Sequence, residues 1–348
     1  NLLKNQKNIS KYNMINFGKI STVLLLGGGE LMYYFAKIAK KNKLKVISVI
    51  APRHAKEVIA DKKNLESLLR EEGLVFKFDK IDKKKIKNIL GENKDILYFS
   101  FDSPWIFNNE IIKDLFKNKL INSHSTRLPQ NRGGGGFSWR ILNQEKFGIC
   151  LIHLISEEEI DKGEIVLHKN FLFPHSLKKP LDYYSFQLKE EKNFLSEFLE
   201  KLLCKKNFDL IAQPEYLSTY FPRLSTNTNG WIDWSLKNID LFNFICAFDD
   251  PYEGASTKYG SKKVRIKSVT WSRSDQIFHP YQYGMIYRKT EDWIVVAINS
   301  GSLIIEEVLN EKNENIINKL IVGNRFLTEQ YLLEAAKVRK FFTPLGLK

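Results

Sequence analysis

The chain has 348 residues, of which 43% are hydrophobic and 13% aromatic. This composition excludes a disordered or fibrous protein and gives enough apolar residues for two domains with a sizeable core. No apolar run approaches the roughly 18 residues that a membrane-spanning helix needs, which also excludes an integral membrane protein of the helical kind.

The net charge is strongly positive. Lysine and arginine number 54 against 40 acidic residues, which gives +14 at pH 7 and a pI near 9.4. An anionic partner such as RNA, or a phosphate-bearing small substrate, would benefit from this field. The lysines are spread along the chain, however, and a general compositional bias explains the charge equally well. No RNA-recognition signature or zinc knuckle is present.

Three cysteines, Cys150, Cys204 and Cys246, lie far apart in the sequence. Their spacing fits neither a disulfide framework nor a zinc site. We therefore interpret them as core thiols of a cytoplasmic protein. Residues 1–18 are polar and lack the apolar segment of a signal peptide, so we expect a frayed N-terminal extension, with Met14 as a candidate start.

The next region alternates strands and helices. We predict strands at 21–26, 45–50, 95–101 and 120–123, and helices at 30–41, 56–71 and 82–90. This alternation predicts an α/β fold with a doubly wound, mostly parallel sheet. Ligands of such sheets bind outside the carboxyl ends of the strands.

The first strand is followed by Gly27-Gly28-Gly29, which invites a nucleotide-binding interpretation. A dinucleotide fingerprint would need another glycine where Met32 stands, and a P-loop would need Gly-Lys-Ser/Thr. Neither pattern is present. The glycines need only permit a tight turn from strand to helix, at most near an anion.

The segment 121–165 carries the chemistry. Asn122 and His124 follow a short buried strand and are two residues apart, so in extended backbone their side chains leave the same face. The Leu128-Pro129 pair prevents helix there, and the four glycines at 133–136 permit backbone geometries that other residues avoid. Asp161 and Gly163 follow in a turn. A new helix is predicted from about Trp139.

These residues suit acyl transfer to an amine. The tetrahedral oxyanion needs hydrogen-bond donors, which Asn122 and a protonated His124 can supply. The amine must lose a proton, for which His124 is a suitable base with Asp161 to orient it. No protein nucleophile and no metal are required. Taken singly, Asn-x-His at a strand end and Asp-Lys-Gly are ordinary turn features, and the prediction depends on their combination.

The segment resembles the folate-dependent formyltransferases, whose pattern is Asn-x-His-x-Ser-x-Leu-Pro, then Arg-Gly, then Asp-x-Gly-x-Ile. The chain matches this pattern at nine positions: Asn122, His124, Leu128, Pro129, Arg132, Gly133, Asp161, Gly163 and Ile165. It departs at Ser125-Thr126-Arg127 and in the four glycines, where many relatives have alanine and proline. The glycines weaken the match to the transfer-RNA branch more than they weaken the chemistry.

The resemblance implies a catalytic triad of Asn122, His124 and Asp161, and N10-formyltetrahydrofolate as co-substrate without a metal. It also implies a pteridine pocket between the loop 99–107 and the segment 156–160. We predict the following folate-binding residues: Phe101, Ser103, Trp105, Ile106 and Ile160. Arg132, Gly133 and Gly134 are predicted to form a substrate loop. As an alternative, Trp105 and Phe107 are simply core residues at a helix start.

Beyond Asp161, a strand is predicted at 164–171, and a helix at 181–204 with a core stripe of Leu188, Leu195, Leu199 and Leu202. Residues 207–214 are predicted to be a linker. The motifs at 230–234 and 250–255 resemble the C-terminal domain of transfer-RNA and sugar formyltransferases. Strands near 263–267, 283–288, 293–298 and 302–308 predict a small β-barrel-like module, closed by a helix at 327–341.

The sequence thus predicts three parts: the extension 1–18, a Rossmann-like formyltransferase domain at 19–208 and a smaller β-rich module at 209–348. The leading functional hypothesis is formyl transfer to a nucleotide-linked amino sugar, a 4-amino-4,6-dideoxy hexose. A methionyl-tRNA formyltransferase, with RNA as partner, is the first alternative, and an inactive nucleotide-binding or sensor module is the second. A homodimer is also considered.

Overall fold

The protein is described by a computed structural model that covers residues 13–59, 62–134, 136–156, 160–272, 277–343 and 346–347. The first region is built on a seven-stranded sheet. Its strands are β1 (Thr22–Gly27), β2 (Lys45–Ile50), β3 (Leu74–Lys77), β4 (Ile96–Phe101), β5 (Leu120–His124), β6 (Phe147–Leu154) and β7 (Ile165–Leu172). Their spatial order is β3-β2-β1-β4-β5-β6-β7.

The first five of these strands are parallel, and β6 and β7 are antiparallel additions at one edge. The central strand β1 is buried along its whole length, as expected for a strand covered on both faces. The predicted α/β class with a mostly parallel sheet is confirmed.

Helices cover both faces of this sheet. They are α1 (Gly29–Lys41), a four-residue helix at Pro52–Ala55, α2 (Leu65–Glu72), α3 (Lys83–Leu90), a π-helical turn at Ile111–Leu115, α4 (Phe137–Leu142) and α5 (Pro180–Leu203). The predicted helix at 56–71 is wrong in its first half. The side chain of Asn64 accepts a hydrogen bond from the amide of Ser67, 2.9 Å away, so a new helix begins there.

Strands β3 and β6 were not predicted. Strand β3 has only four residues and lies at the sheet edge, where alternation is too short to be informative. Strand β6 is an eight-residue apolar segment with His153 near its end. It matters most for the site because it pairs with β5.

The second region forms a six-stranded antiparallel sheet of order β10-β11-β12-β9-β8-β13. Helix α6 (Asn238–Ala247) precedes β8 (Ala255–Tyr259), β9 (Lys262–Ser272), β10 (Ile286–Lys289), β11 (Ile294–Ile298), β12 (Gly301–Leu309) and β13 (Phe326–Leu327), and α7 (Gln330–Ala336) follows. The predicted β-rich C-terminal region is confirmed. A closing helix was predicted at 327–341, but the observed helix is shorter and occupies only residues 330–336.

Short elements connect the regions. Four segments in the second half of the chain form single turns of helix: Glu215–Leu217, Thr226–Asn229, Pro280–Gln282 and Ile317–Lys319. Two-residue strands pair Met14–Ile15 with Phe208–Asp209, Arg132–Gly133 with Tyr220–Phe221, and Phe342–Thr343 with Gly346–Leu347. The apolar core of the second region includes Ile141, Phe173 and Tyr183 from the first region, so the two regions pack directly against each other.

Three smaller predictions need correction. Residues 13–18 are not frayed, because Phe17 is buried against Phe198 and Phe208; residues 1–12 lie outside the described part of the chain. Cys204 is exposed at the end of α5, whereas Cys150 and Cys246 are buried. Among the described residues, no helix has both the length and the apolar character to cross a membrane.

Candidate active site

A cleft of about 1090 Å³ opens at the carboxyl ends of β1, β4 and β5 and extends to the second region. The turn after β1, the loop after β4, the end of β5 and the segment 220–226 all line it. This is the edge at which parallel sheets bind ligands. Leu188, predicted as a core residue of α5, is only partly buried and faces this cleft instead.

The end of β5 carries Asn122 and His124, and both line the cleft as predicted. Strand β6 runs antiparallel beside it, with Asn122 directly opposite His153. Directly opposed residues place their side chains on the same face. The amide nitrogen of Asn122 lies 3.2 Å from Nε2 of His153. Sequence reasoning missed His153, although a single histidine in an otherwise apolar strand was the available signal.

Asp161 completes the cluster from the loop between β6 and β7. Its Oδ1 lies 3.8 Å from Nδ1 of His124 and 3.8 Å from Nε2 of His153. Its Oδ2 accepts a hydrogen bond from the amide of Gly133 at 3.1 Å. The structure therefore brings the three predicted catalytic residues together and adds His153 as a fourth.

The backbone around Asp161 is firmly constrained. Asp161 has a φ of 59°, in the left-handed region that few non-glycine residues adopt. The side-chain amide of Gln213 donates to the carbonyl oxygens of Asp161 and Gly163 at 2.8 and 2.6 Å. A Cβ on Gly163 would lie 1.7 Å from the carbonyl oxygen of Leu154, so only glycine lets this loop close on β6.

Burial and charge act in opposite directions on Asp161. Burial alone would raise the pKa of its carboxyl, but His124 and the hydrogen bond from the Gly133 amide together hold that pKa below its ordinary value. Burial lowers the pKa of His153 to about 4, so this imidazole is neutral at physiological pH. The centre thus holds a carboxylate beside a neutral imidazole.

The hydrogen bonds also assign the imidazole tautomers. Nδ1 of His153 lies 2.8 Å from the carbonyl oxygen of Leu154, which can only accept, so Nδ1 carries the proton and Nε2 has a lone pair. The hydroxyl of Thr126 donates to the carbonyl of Asn131 at 2.7 Å and therefore accepts from Nε2 of His124 at 2.6 Å. Nδ1 of His124 is then the nitrogen that faces Asp161.

The predicted folate-binding residues all line the cleft: Phe101, Ser103, Trp105, Ile106 and Ile160. Ile106 and Ile160 are exposed by 82% and 53% and present apolar surface to the cleft, whereas Trp105 is 92% buried with its indole N–H donated to the carbonyl of Asp79 at 3.1 Å. Trp105 thus has the packed environment of a core residue while one edge lines the cleft. Folate binding by these residues stays a prediction.

The predicted substrate loop needs a correction. The side chain of Arg132 is buried away from the cleft and binds the carboxylate of Glu215 at 3.0 Å and the amide oxygen of Gln213 at 3.1 Å. Gly133 and Gly134 do line the cleft. A Cβ on Gly133 would lie 2.4 Å from the Tyr220 ring, and one on Gly134 would lie 2.6 Å from the backbone nitrogen of Arg223. Because these two glycines have no side chains, the segment 220–223 can pack directly against them beside the cleft.

The glycine turn after β1 has a packing explanation as well. A Cβ on Gly28 would lie 2.4 Å from Nδ1 of the buried His54, and one on Gly27 would lie 1.8 Å from the carbonyl oxygen of Phe101. The backbone amide of Gly29, which has no partner within the helix, donates to the carboxylate of Glu57 at 3.2 Å. The amide that could bind an anion is therefore already hydrogen-bonded to a side chain of the protein itself.

Behind the catalytic centre lies a buried polar cluster. Gln187 donates to the carbonyl of Ser125 at 2.8 Å and to the carboxyl of Glu191 at 2.9 Å, and Arg140 also donates to the Ser125 carbonyl at 2.6 Å. Burial raises the pKa of Glu191 despite the hydrogen bonds from Ser125 and Gln187. This cluster fixes the segment that follows His124.

The comparisons with known proteins agree on one family. The family described as formyl transferase, C-terminal domain, matches residues 225–325. A methionyl-tRNA formyltransferase of Acetivibrio thermocellus is 27% identical over 213 residues. That match covers 59% of this chain and 64% of the relative, so the chain spans less than two thirds of its length.

Two solved structures share the fold over nearly their whole length. WlaRD, a sugar 3N-formyl transferase studied with dTDP and 5-N-formyl-THF, has a TM-score of 0.62 at 18% identity, covering 84% of this chain and 100% of that one. The N-formyltransferase of Helicobacter canadensis, in complex with folinic acid and dTDP-3-aminofucose, has a TM-score of 0.61 at 19% identity, covering 83% and 99%. The matched C-terminal domain, the methionyl-tRNA formyltransferase relative and the shared fold together support a folate-dependent formyltransferase family for this chain.

Proposed function

We propose that the protein transfers a formyl group from N10-formyltetrahydrofolate to a primary amine of a nucleotide-linked amino sugar. The observation that carries this proposal is the meeting of Asn122, His124 and Asp161 at one point of a cleft of about 1090 Å³. A cleft of that size has room for two substrates, and holding both there converts a bimolecular reaction into one within a single complex.

The reaction can be followed atom by atom. The amine nitrogen attacks the formyl carbon, a new C–N bond forms, and the bond between that carbon and N10 of the folate breaks. The amine loses one proton and N10 gains one, so no external acid or oxidant is consumed. Nδ1 of His124, the ring nitrogen that faces Asp161, is the proposed acceptor of the amine proton and its donor to N10.

Asn122 has the complementary role. One of its amide hydrogens is directed at His153, which fixes the side chain, and the second is available for the oxyanion of the tetrahedral intermediate. Removing one such donor typically lowers kcat about 10²- to 10³-fold. His153 acts through Asn122 and is therefore a positioning residue in this proposal.

Support for a sugar nucleotide comes from the far side of the cleft. Aromatic side chains from both regions line it, among them Trp139, Tyr220 and Tyr252, together with Arg223. Flat aromatic faces suit a nucleobase, and a guanidinium suits phosphate. The two solved structures described above act on or bind a sugar or sugar nucleotide. Both concern a 3-amino position, so the proposed 4-amino hexose is one of two positions to test.

The alternative acceptor is methionyl-tRNA. The Acetivibrio thermocellus relative bears that name, and the net charge of +14 favours an RNA partner. An RNA-dependent activity would fall steeply with salt, because each neutralised phosphate releases counterions. A small sugar nucleotide would give a much flatter salt dependence.

One experiment separates these possibilities. The protein is incubated with N10-formyltetrahydrofolate and, in parallel, with 3-amino and 4-amino sugar nucleotides or charged transfer RNA, and products heavier by one formyl group (about 28 Da by mass balance of the reaction) are sought by mass spectrometry. Formylated sugar at moderate salt supports the proposal. Formylated methionyl-tRNA alone replaces the acceptor, and failure of calorimetry to detect folate binding favours the inactive sensor module. The cytoplasmic location and the homodimer stay predictions.

A further inference from the structure

Three atoms that can bind a metal ion lie close together in the catalytic centre: Nδ1 of His124, Nε2 of His153 and Oδ1 of Asp161. Nε2 of His153 has a lone pair because Nδ1 donates to the Leu154 carbonyl. Nε2 of His124 is bonded to Thr126, so Nδ1 is the ring nitrogen that faces Asp161. Oδ1 of Asp161 lies 3.8 Å from each of these nitrogens.

We propose that His124, His153 and Asp161 form a binding site for a divalent transition-metal ion, with Zn²⁺ as its preferred occupant, and that this ion inhibits formyl transfer. Two imidazoles and one carboxylate are the ligand types that Zn²⁺ takes in open, three-ligand sites. The inhibition is distinct from the proposed activity, which uses no metal. It follows because the ion would occupy the lone pair on which proton transfer depends.

The geometry is close to what the ion needs. One ligand atom from each residue lies within 4.8 Å of the other two. At zinc–ligand distances of about 2.0–2.1 Å, tetrahedral ligands stand roughly 3.3 Å apart. On that basis the two pairs that involve Asp161, at 3.8 Å, need to shorten by about 0.5 Å, and the pair of imidazole nitrogens, within 4.8 Å, by up to about 1.5 Å. A fourth position would be left to water.

The surroundings also suit a metal site. Ligating histidines in proteins usually donate their second ring nitrogen to a carbonyl or carboxylate, or to another polar group, which fixes the tautomer. His153 does this through Leu154, and His124 through Thr126. Asp161 is held by the Gly133 amide through its other oxygen, which leaves Oδ1 available. Binding requires that the ligand atoms move closer together and that the Asn122 amide turn away from His153.

Metal binding is measured directly on the full chain after treatment with a chelator. Zn²⁺ is titrated in competition with a chromophoric chelator, and Co²⁺ is added separately to read coordination from its visible absorption. We expect one ion per chain, and at least a tenfold loss of Zn²⁺ affinity in His153→Gln and in Asp161→Asn. Thermal melts verify that each variant is folded before it is titrated.

His175→Gln is the matched control, because His175 is exposed and does not line the cleft. It should bind Zn²⁺ with the affinity of the unmodified protein. The inference is overturned if the unmodified protein binds Zn²⁺ no more tightly than His153→Gln and Asp161→Asn do. Where transfer activity is measured, Zn²⁺ should inhibit it and chelator should restore it. Because binding is read without substrates, a protein that transfers no formyl group still tests the metal site.

Discussion

Two polar sites lie on the same edge of the parallel sheet and line the same cleft, yet their hydrogen bonds are arranged differently. At the catalytic centre, Nδ1 of His124 and Nε2 of His153 both lie 3.8 Å from Oδ1 of Asp161. At the glycine turn, the amide of Gly29 is already bonded to Glu57, and Gly27 and Gly28 are required by packing. Position at a strand end is therefore common to both, and only the first site has functional groups left over for a ligand.

The largest expected effect concerns Asp161. Asp161→Asn removes the negative charge that faces His124 but keeps an oxygen able to accept from the Gly133 amide. We expect transfer to fall about 10³- to 10⁴-fold, the size seen when a histidine loses its orienting carboxylate. Steady-state kinetics with the acceptor identified by mass spectrometry provide the measurement.

A loss of folding would mimic this result, so the melting temperature is compared in parallel. His175→Gln, at an exposed position outside the cleft, should keep normal turnover. Near-normal turnover of a folded Asp161→Asn protein would show that the convergence at the catalytic centre has no catalytic meaning. The comparison between the two sites would then lose its basis.

The second prediction tests whether the glycine turn is built by packing. Gly28→Ala places a Cβ 2.4 Å from the ring of the buried His54, whereas at Gly29 no atom lies within 4 Å. We expect Gly28→Ala to lower the free energy of unfolding by about 2–3 kcal/mol through overpacking. Gly29→Ala should cost roughly 1 kcal/mol, because its φ of +82° disfavours a side chain. Denaturant unfolding of the two variants measures the difference, and equal losses would contradict the packing explanation.

The sequence was sufficient for four of the five parallel strands. Strands β1, β2, β4 and β5 are apolar segments separated by helical periods, and each was predicted within a residue or two of its observed bounds. Strand β3 was missed because four residues at a sheet edge carry little alternation. The helix predicted from 56 failed because the cap at Asn64 restarts the chain, a local hydrogen bond that hydrophobic periodicity does not reveal.

For the site, the sequence indicated the residues but not their relations. Asn122, His124 and Asp161 were recognised from their pattern, while His153 was missed because its role depends on the antiparallel pairing of β6 with β5. Arg132 was assigned to a substrate loop because it matches the Arg-Gly position of the family pattern. Its partners Glu215 and Gln213 are more than 80 residues away, and no local pattern indicates that such groups will bury it.

The third prediction concerns Glu191, the buried carboxyl group beside the catalytic centre. Glu191 is buried behind the catalytic centre, and burial raises its pKa, so the folded protein binds a proton there more tightly than the unfolded chain. The stability that this proton contributes is present below the unfolded pKa and is lost as pH rises through the folded pKa. We expect the melting temperature of Glu191→Gln, relative to the unmodified protein, to rise as pH rises from about 5 and to level off once pH passes the folded pKa of Glu191. A constant difference across that interval would mean that Glu191 does not titrate on unfolding.

The smallest expected effect is at Glu57, whose carboxylate binds the amide of the glycine turn and leaves no place there for an anionic ligand. Its carboxylate accepts from the Gly29 amide and places a negative charge where a phosphate would otherwise bind. Glu57→Ala removes the charge and frees the amide, so inorganic phosphate should inhibit the variant about two- to fivefold more strongly, a change within the 0.3–1 kcal/mol typical of such helix-end charges. Glu66→Gln, which removes a negative charge outside the cleft, should leave the inhibition constant of phosphate unchanged. If Glu57→Ala also leaves it unchanged, the turn is closed to anions by its shape rather than by Glu57, and the difference between the two sites comes from packing alone.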